Sequence, residues 1–158
     1  MALLDMWKDN RDGIREKSVH QILAFAGEGK LTDNSRCSRE FRDLLKVAPL
    51  EMLRRYANEA LNGDADGPGL ALQDIVNELG TRLGHEVAFG LYRGRRGESG
   101  HDGLWTDLSV QHTIVVEVKS TSAYQIRLEP IVNRMNHYRG LRRSCRARIN
   151  PSQAARRS

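Results

Sequence analysis

Cysteine is scarce in this sequence, and long hydrophobic runs are absent. Its two cysteines, Cys37 and Cys145, lie far apart and match no paired metal-ligand spacing, so we interpret them as free thiols in a reducing compartment. No apolar stretch approaches the ~18 residues of a membrane-spanning helix, and the opening residues MALLDMWKDNRDG carry acids where a signal peptide would be apolar. These absences predict a cytoplasmic protein with no membrane partner.

Acidic residues and lysine are missing from the C-terminal part of the chain. From Pro130 onward there are eight arginines and no lysine or acid, so the net charge of +5 leaves 17 basic and 20 acidic residues in the first 129. We expect residues 139–158 to form a basic, disordered tail, either merely solvated or in contact with nucleic-acid phosphates. The arginines predicted to bind nucleic acid are Arg95, Arg96, Arg139, Arg142 and Arg143.

Four helical patterns precede the first convincing strand. IREKSVHQILAFAG predicts a helix ending at Gly27, and SREFRDLLK predicts a helix with Ser38 as its N-cap and Phe41, Leu44 and Leu45 turned inward. PLEMLRRYANEALNG predicts a third helix, closed by Gly63. The sequence thus indicates a helical N-terminal segment at residues 1–63, followed by a linker at residues 63–69.

The segment after the linker has a helix, then strands, then a helix. LALQDIVNELGTRLG is strongly amphipathic and should pack on a sheet. HEVAFGLYRG, GLWTDLSV and TIVVEVKS predict three strands, and LEPIVNRMNHYR predicts a closing helix. We therefore expect an α/β core at residues 70–138.

Three charged residues stand out in this core. Glu117 and Lys119 share one face of an otherwise apolar strand, because side chains alternate along a strand. Such a pair suits a soluble sheet edge, but in a central strand the charges must be paired or bind a metal. Asp102, at the start of the preceding strand, is the expected partner, with Asp107 as the alternative. Two converging carboxylates would suit Mg²⁺ or Mn²⁺, and a nearby lysine could assist phosphate chemistry.

An acidic residue, a short gap and an apolar strand carrying Glu-x-Lys, all after an amphipathic helix, resemble the PD-(D/E)XK nuclease superfamily. The resemblance implies a restriction-endonuclease-like core, a mixed central sheet flanked by helices. It also implies Asp102 and Glu117 as metal ligands and Lys119 as the catalytic cation. Some members carry a further Glu on the preceding helix, for which Glu78 is the candidate; a solvated surface Glu is the alternative interpretation.

The end of the chain departs from the family pattern. Family members return to the sheet with another strand, but GLRRSCRARINPSQAARRS has no alternating apolar run, so we expect the C-terminal strand to be missing, by truncation or by a frame change after Tyr138. An open sheet edge would favour a homo-oligomer. The sequence predicts a Mg²⁺-dependent DNA endonuclease of defence or repair type. The alternative is an inactive nuclease-like module that binds nucleic acid or protein.

Overall fold

The fold is a mixed α/β arrangement, which confirms the predicted class in its coarse form. The computed structural model describes residues 2–62, 67–93 and 100–119, together with Val132, Asn133 and Asn136. Residues 1–124 form one compact unit. Its helices are α1 (Leu3–Asp9), α2 (Arg11–Arg15), α3 (Val19–Phe25), α4 (Arg36–Val47), α5 (Leu50–Asn62) and α6 (Pro68–Arg82). Its strands are β1 (Glu86–Phe89), β2 (Gly103–Asp107) and β3 (His112–Val116).

The first part of the chain is more finely divided than its sequence pattern predicted. The single helix expected to end at Gly27 is two helices, α2 and α3, because Ser18 starts a new helix with a capping box. The Ser18 hydroxyl accepts from the Gln21 N–H at 3.3 Å, and the Gln21 side chain accepts from the Ser18 N–H at 3.0 Å. These reciprocal bonds satisfy backbone donors that a helix start leaves open.

Helix α4 begins three residues earlier than predicted. Its N-cap is Ser35, whose hydroxyl accepts from the Ser38 N–H at 3.1 Å, so the expectation of Ser38 as the cap was wrong. Both serines can cap, and the choice falls on Ser35 because Ser38 is buried within the helix. The predicted inward residues, Phe41, Leu44 and Leu45, are all buried.

One hydrophobic core joins the N-terminal helices to α6. It extends from Leu3 and Trp7 on α1, through Phe41 on α4, to Ala71 and Ile75 on α6. Helix α6 begins at Pro68, inside the predicted linker, because proline suits a first helical turn. The helical segment therefore packs directly against α6, the helix that also carries the sheet.

The sheet has the order β1-β2-β3, and both of its pairings are antiparallel. Helix α6 packs on it, as predicted, with the Trp105 ring lying against Gly80 of the helix. Among the described residues, β3 ends at Val116 and pairs with β2, so Glu117 directly follows the strand. A central position for β3 stays a prediction. The mixed sheet and the restriction-endonuclease-like core stay predictions.

The closing part of the chain is described at three residues. Val132, Asn133 and Asn136 are helical, in agreement with the helix predicted from LEPIVNRMNHYR. The predicted tail at residues 139–158 lies outside the described residues. Among the residues that the structure does describe, no helix is long and apolar enough to cross a membrane.

Candidate functional site

The strand pairing brings Asp102 and Glu117 to neighbouring strand ends. Gly103, the first residue of β2, pairs with Val116, the last residue of β3. Asp102 directly precedes the first and Glu117 directly follows the second. The Val118 N–H donates to the Asp102 carboxylate at 2.5 Å, so this carboxylate lies against the main chain that carries Glu117. The antiparallel hairpin thus juxtaposes two acidic positions that are fifteen residues apart in sequence.

Glu117 and Lys119 form an ion pair just beyond β3. The Lys119 ammonium nitrogen lies 2.5 Å from a Glu117 carboxylate oxygen, and the two side chains are 37% and 29% exposed. Solvent screens a pair at this exposure, so it adds little to folding stability. Its consequence is local, because it holds the Lys119 ammonium group beside the Glu117 carboxylate.

Helix α6 anchors the main chain at Asp102. The Asp102 carbonyl accepts from the Asn77 side chain at 2.8 Å, from the Gln73 side chain at 3.1 Å and from the Gly90 N–H at 3.0 Å. The Asp102 N–H donates to the Val116 carbonyl at 3.0 Å. The turn that presents the Asp102 carboxylate is therefore fixed by a helix, by the residue after β1 and by β3.

Asn77 is the centre of this anchor. It is fully buried, and its side-chain oxygen accepts from the Trp105 indole N–H at 3.0 Å while its amide nitrogen serves the Asp102 carbonyl. Both polar groups of a buried amide are thus satisfied, which is the condition for burying it at low cost. One asparagine links the middle of β2 to the turn that precedes it.

The buried polar face of α6 was missed by sequence reasoning. Its four members are 5% exposed or less, and they are Gln73, Asp74, Asn77 and Glu78. They recur at helical spacing, as a second stripe beside the apolar one, and that periodicity was the available signal. Their partners come from distant segments, so the sequence did not reveal whether the stripe faced solvent or protein.

Glu78 is one of these buried residues, so its interpretation as a solvated surface glutamate was wrong. Its carboxylate pairs with the Arg82 guanidinium at 2.8 Å. Arg82 also donates to the carbonyls of Leu45 and Ala48, at 2.6 and 2.7 Å. The Glu78 carboxylate thus orients an arginine that binds the C-terminal end of α4. Its assignment as a metal ligand stays a prediction.

Asp74 forms a second buried ionic contact between α6 and α4. Its carboxylate is fully buried, accepts from the Arg42 guanidinium at 3.0 Å, and also accepts from the Tyr92 hydroxyl. The guanidinium of Arg42 lies over the Phe89 ring, 4.2 Å from its centroid. Burial raises the pKa of Asp74 to about 6, although Arg42 and the Tyr92 hydroxyl favour the ionised form. Helix, loop and sheet therefore meet at one carboxylate.

Asp107, the alternative acidic ligand, has a structural role at the other end of the hairpin. Its carboxylate accepts from the Ser109 N–H at 2.8 Å and from the Ser109 hydroxyl at 2.6 Å. These hydrogen bonds lower the pKa of Asp107. Asp107 ends β2, at the opposite end from the residue that precedes Gly103, so the hairpin separates it from Asp102 and Glu117.

The donor set at the strand ends suits a hard divalent cation. Mg²⁺ binds through one or two carboxylates and keeps several waters, and Asp102 and Glu117 supply two carboxylates. The Asp102 carboxylate also accepts the hydrogen bond from the Val118 N–H, and an ionised carboxylate has several lone pairs with which to accept. Across residues 2–62, 67–93 and 100–119, no group of three or more His, Cys, Asp or Glu side chains is arranged to hold a metal ion. A site for Mg²⁺ or Mn²⁺ at Asp102 and Glu117 stays a prediction.

Other predicted contacts fall elsewhere in the chain. The arginines expected to bind nucleic acid, Arg95, Arg96, Arg139, Arg142 and Arg143, lie outside the described residues. Cys37 is a buried free thiol whose pKa burial raises to about 11, which makes it a poor nucleophile. Compared with protein-family models, with curated proteins and with solved structures, the chain matches none.

Proposed function

We propose that the protein is a metal-dependent nuclease that hydrolyses DNA phosphodiester bonds at the ends of β2 and β3. The observation that carries the proposal is the juxtaposition of Asp102 with the main chain of Glu117 and Val118, beside the Glu117–Lys119 pair. Two carboxylates and one ammonium group on adjacent strand ends are a chemically complete set for metal-assisted phosphoryl transfer. The Asp-to-Glu-x-Lys resemblance to the PD-(D/E)XK superfamily supports the same activity.

Each residue has a distinct task in this proposal. Asp102 and Glu117 would hold Mg²⁺ or Mn²⁺, which when bound supplies water activation and offsets charge at the phosphate. Lys119 would stabilise the negative charge that develops on the phosphate oxygens or orient the attacking water. Gln73 and Asn77 would act as positioning residues, because they fix the main chain that presents Asp102.

The proposal also includes a cellular location for the nuclease. A cytoplasmic location suits the buried free thiol of Cys37, which a reducing compartment keeps unpaired. Glu78 on α6, whose carboxylate pairs with Arg82, stays the candidate for a further metal ligand in this proposal.

A second candidate is a nuclease-like module that binds nucleic acid without cutting it. The edge position of β3 within residues 100–119 favours this alternative, because the Glu117–Lys119 pair then has the simple role of keeping a strand end soluble. The two candidates differ in one property, which is hydrolysis.

Incubating plasmid DNA with the purified chain distinguishes the nuclease from the binding module. The nuclease should nick or cut with Mg²⁺ or Mn²⁺ and stop with a chelator. Asp102→Asn and Lys119→Ala should each abolish cleavage while keeping the thermal unfolding midpoint, because neither side chain is in the hydrophobic core. DNA binding without metal-dependent cleavage would select the binding module, and full cleavage by both variants would exclude this site.

A further inference from the structure

The N-terminal helices form a groove that the proposed catalytic site does not use. Two hollows, of about 360 and 420 Å³, share Arg15 and Pro49 among their lining residues, so they form one continuous surface, here called the basic groove. Helices α1 and α2 provide one wall of the first hollow, and the start of α5 lines the second. The residues that line the basic groove belong to the helical segment, and none of them belongs to β2 or β3.

Positive charge is concentrated in the basic groove. Its lining includes five basic residues and two acidic ones, Glu16 and Glu51, which both belong to the second hollow. The five basic residues are Lys8, Arg11, Arg15, Arg54 and Arg55. The first 129 residues together carry a net charge of −3. The groove is therefore a local excess of cations on an otherwise acidic part of the chain, which attracts a polyanion.

Most of these cations are not neutralised by the protein. Within the described ranges, Lys8, Arg11 and Arg54 form no ion pair, and Arg15 reaches the exposed Glu51 carboxylate only at 3.9 Å. The Arg11 guanidinium instead lies over the Trp7 ring, 5.8 Å from its centroid. This contact orients Arg11 and leaves its charge without a carboxylate.

Arg55 is the exception, because it builds the groove rather than facing a ligand. Its guanidinium donates to the carbonyls of Arg15 and Lys17 and pairs with Glu59 at 3.3 Å. These bonds tie α5 to the end of α2, which fixes the relation between the two hollows. The basic side chains on α2 and α5 are thus held at fixed positions relative to one another.

We propose that the basic groove binds the sugar-phosphate backbone of the DNA that the catalytic site cuts, an inference that rests on the proposed function. Arg11 and Arg15 lie one helical turn apart, about 6 Å, so they can meet successive anionic groups. The floor contributes apolar surface from Leu4, Val47 and Pro49, which suits sugar rings between the phosphates. A repeating anion fits a row of unneutralised cations better than a single small anion does.

The test compares two triple variants of the full chain that lose the same charge. The groove variant carries Lys8→Gln, Arg11→Gln and Arg54→Gln. The control variant carries Lys30→Gln, Arg39→Gln and Lys46→Gln, at exposed positions that do not line the groove. Binding of labelled DNA is measured by fluorescence anisotropy in a chelator, so that no cleavage occurs, over a series of salt concentrations.

The groove variant should bind DNA at least about tenfold more weakly. The magnitude of its slope of log affinity against log salt should fall by about 2 to 3, because each of the three lost phosphate contacts removes about 0.7 to 0.9. The control variant should stay close to the wild type. Equal weakening in both variants, unchanged binding in the groove variant, or equal competition by poly-glutamate would overturn the proposal. If the groove variant unfolds, DNA binding is compared instead between the wild type and Lys8→Glu alone, a change at an exposed position.

The outcome is separable from that of the proposed function. With Mg²⁺, the groove variant should cleave with a raised KM and an unchanged kcat, because the groove does not touch the reacting atoms. DNA binding through the groove without any cleavage would contradict the nuclease and leave the groove standing. Cleavage by the groove variant with an unchanged KM would contradict DNA binding by the groove and leave the nuclease proposal standing.

Discussion

Replacing Asn77 by alanine tests the link between α6 and the turn that presents Asp102. The change removes the 2.8 Å bond to the Asp102 carbonyl and the 3.0 Å bond from the Trp105 indole N–H. The Asp102 carbonyl keeps its donors from Gln73 and Gly90, so that loss should cost about 1 kcal/mol. The indole N–H loses its partner, which should cost about 1–3 kcal/mol, while alanine regains about 0.5 kcal/mol of helix propensity.

The unfolding free energy should therefore fall by about 1.5–3.5 kcal/mol. Urea denaturation measures it, and the slope of the free energy against urea concentration should stay unchanged. Asn62→Ala is the matched control, because Asn62 is exposed and its side chain donates to the Asn58 carbonyl of its own helix, at 2.8 Å. That variant should change stability by less than about 0.5 kcal/mol. Equal stabilities for the two variants would refute the anchoring role of Asn77.

Three further changes probe the contacts around α6. Burial raises the pKa of Asp74 from its ordinary value of 3.8 to about 6. As the pH falls, the Asp74 carboxylate therefore takes up a proton at a higher pH in the folded chain than in the unfolded chain. The stability difference between wild type and Asp74→Asn should thus shift in favour of wild type as pH falls from about 7 to 4, and a pH-independent difference in urea titrations would contradict this. Gly80→Ala should lower the thermal midpoint, because the added methyl group meets the Trp105 ring; a raised midpoint would show that helix propensity dominates. In urea titrations, Arg82→Ala should lower the unfolding free energy by about 3 kcal/mol, since it leaves the buried Glu78 carboxylate unpaired. Adding Glu78→Gln to that variant should restore part of the lost stability in the same titrations.

Apolar periodicity predicted the elements that bury one face. Phe41, Leu44 and Leu45 marked α4, and the amphipathic segment LALQDIVNELGTRLG marked α6, because a helix with one apolar stripe must bury it. The same reasoning chose the wrong cap for α4, because it named Ser38 where the structure uses Ser35. Either serine can accept from a backbone N–H, and the packing of the helix decided between them.

Buried polar contacts were beyond prediction because they depend on residues far apart in sequence. Asp74 meets Arg42 from α4, and Asn77 meets Trp105 from β2, so only the tertiary fold makes these polar positions internal. The juxtaposition of Asp102 and Glu117 was more accessible. Two neighbouring strands joined by a short turn pair antiparallel, which brings the start of the first beside the end of the second.

The most direct test of the central claim is the single-turnover rate of DNA cleavage in Mg²⁺ for wild type, Glu117→Gln and Glu86→Gln. Glu86 is an exposed carboxylate on β1 and supplies the matched control. We predict that Glu117→Gln lowers the rate at least about a hundredfold while Glu86→Gln leaves it unchanged, because only Glu117 would hold the metal that offsets charge in the transition state. Equal rates for wild type and Glu117→Gln, or no metal-dependent cleavage in any of the three proteins, would contradict the account.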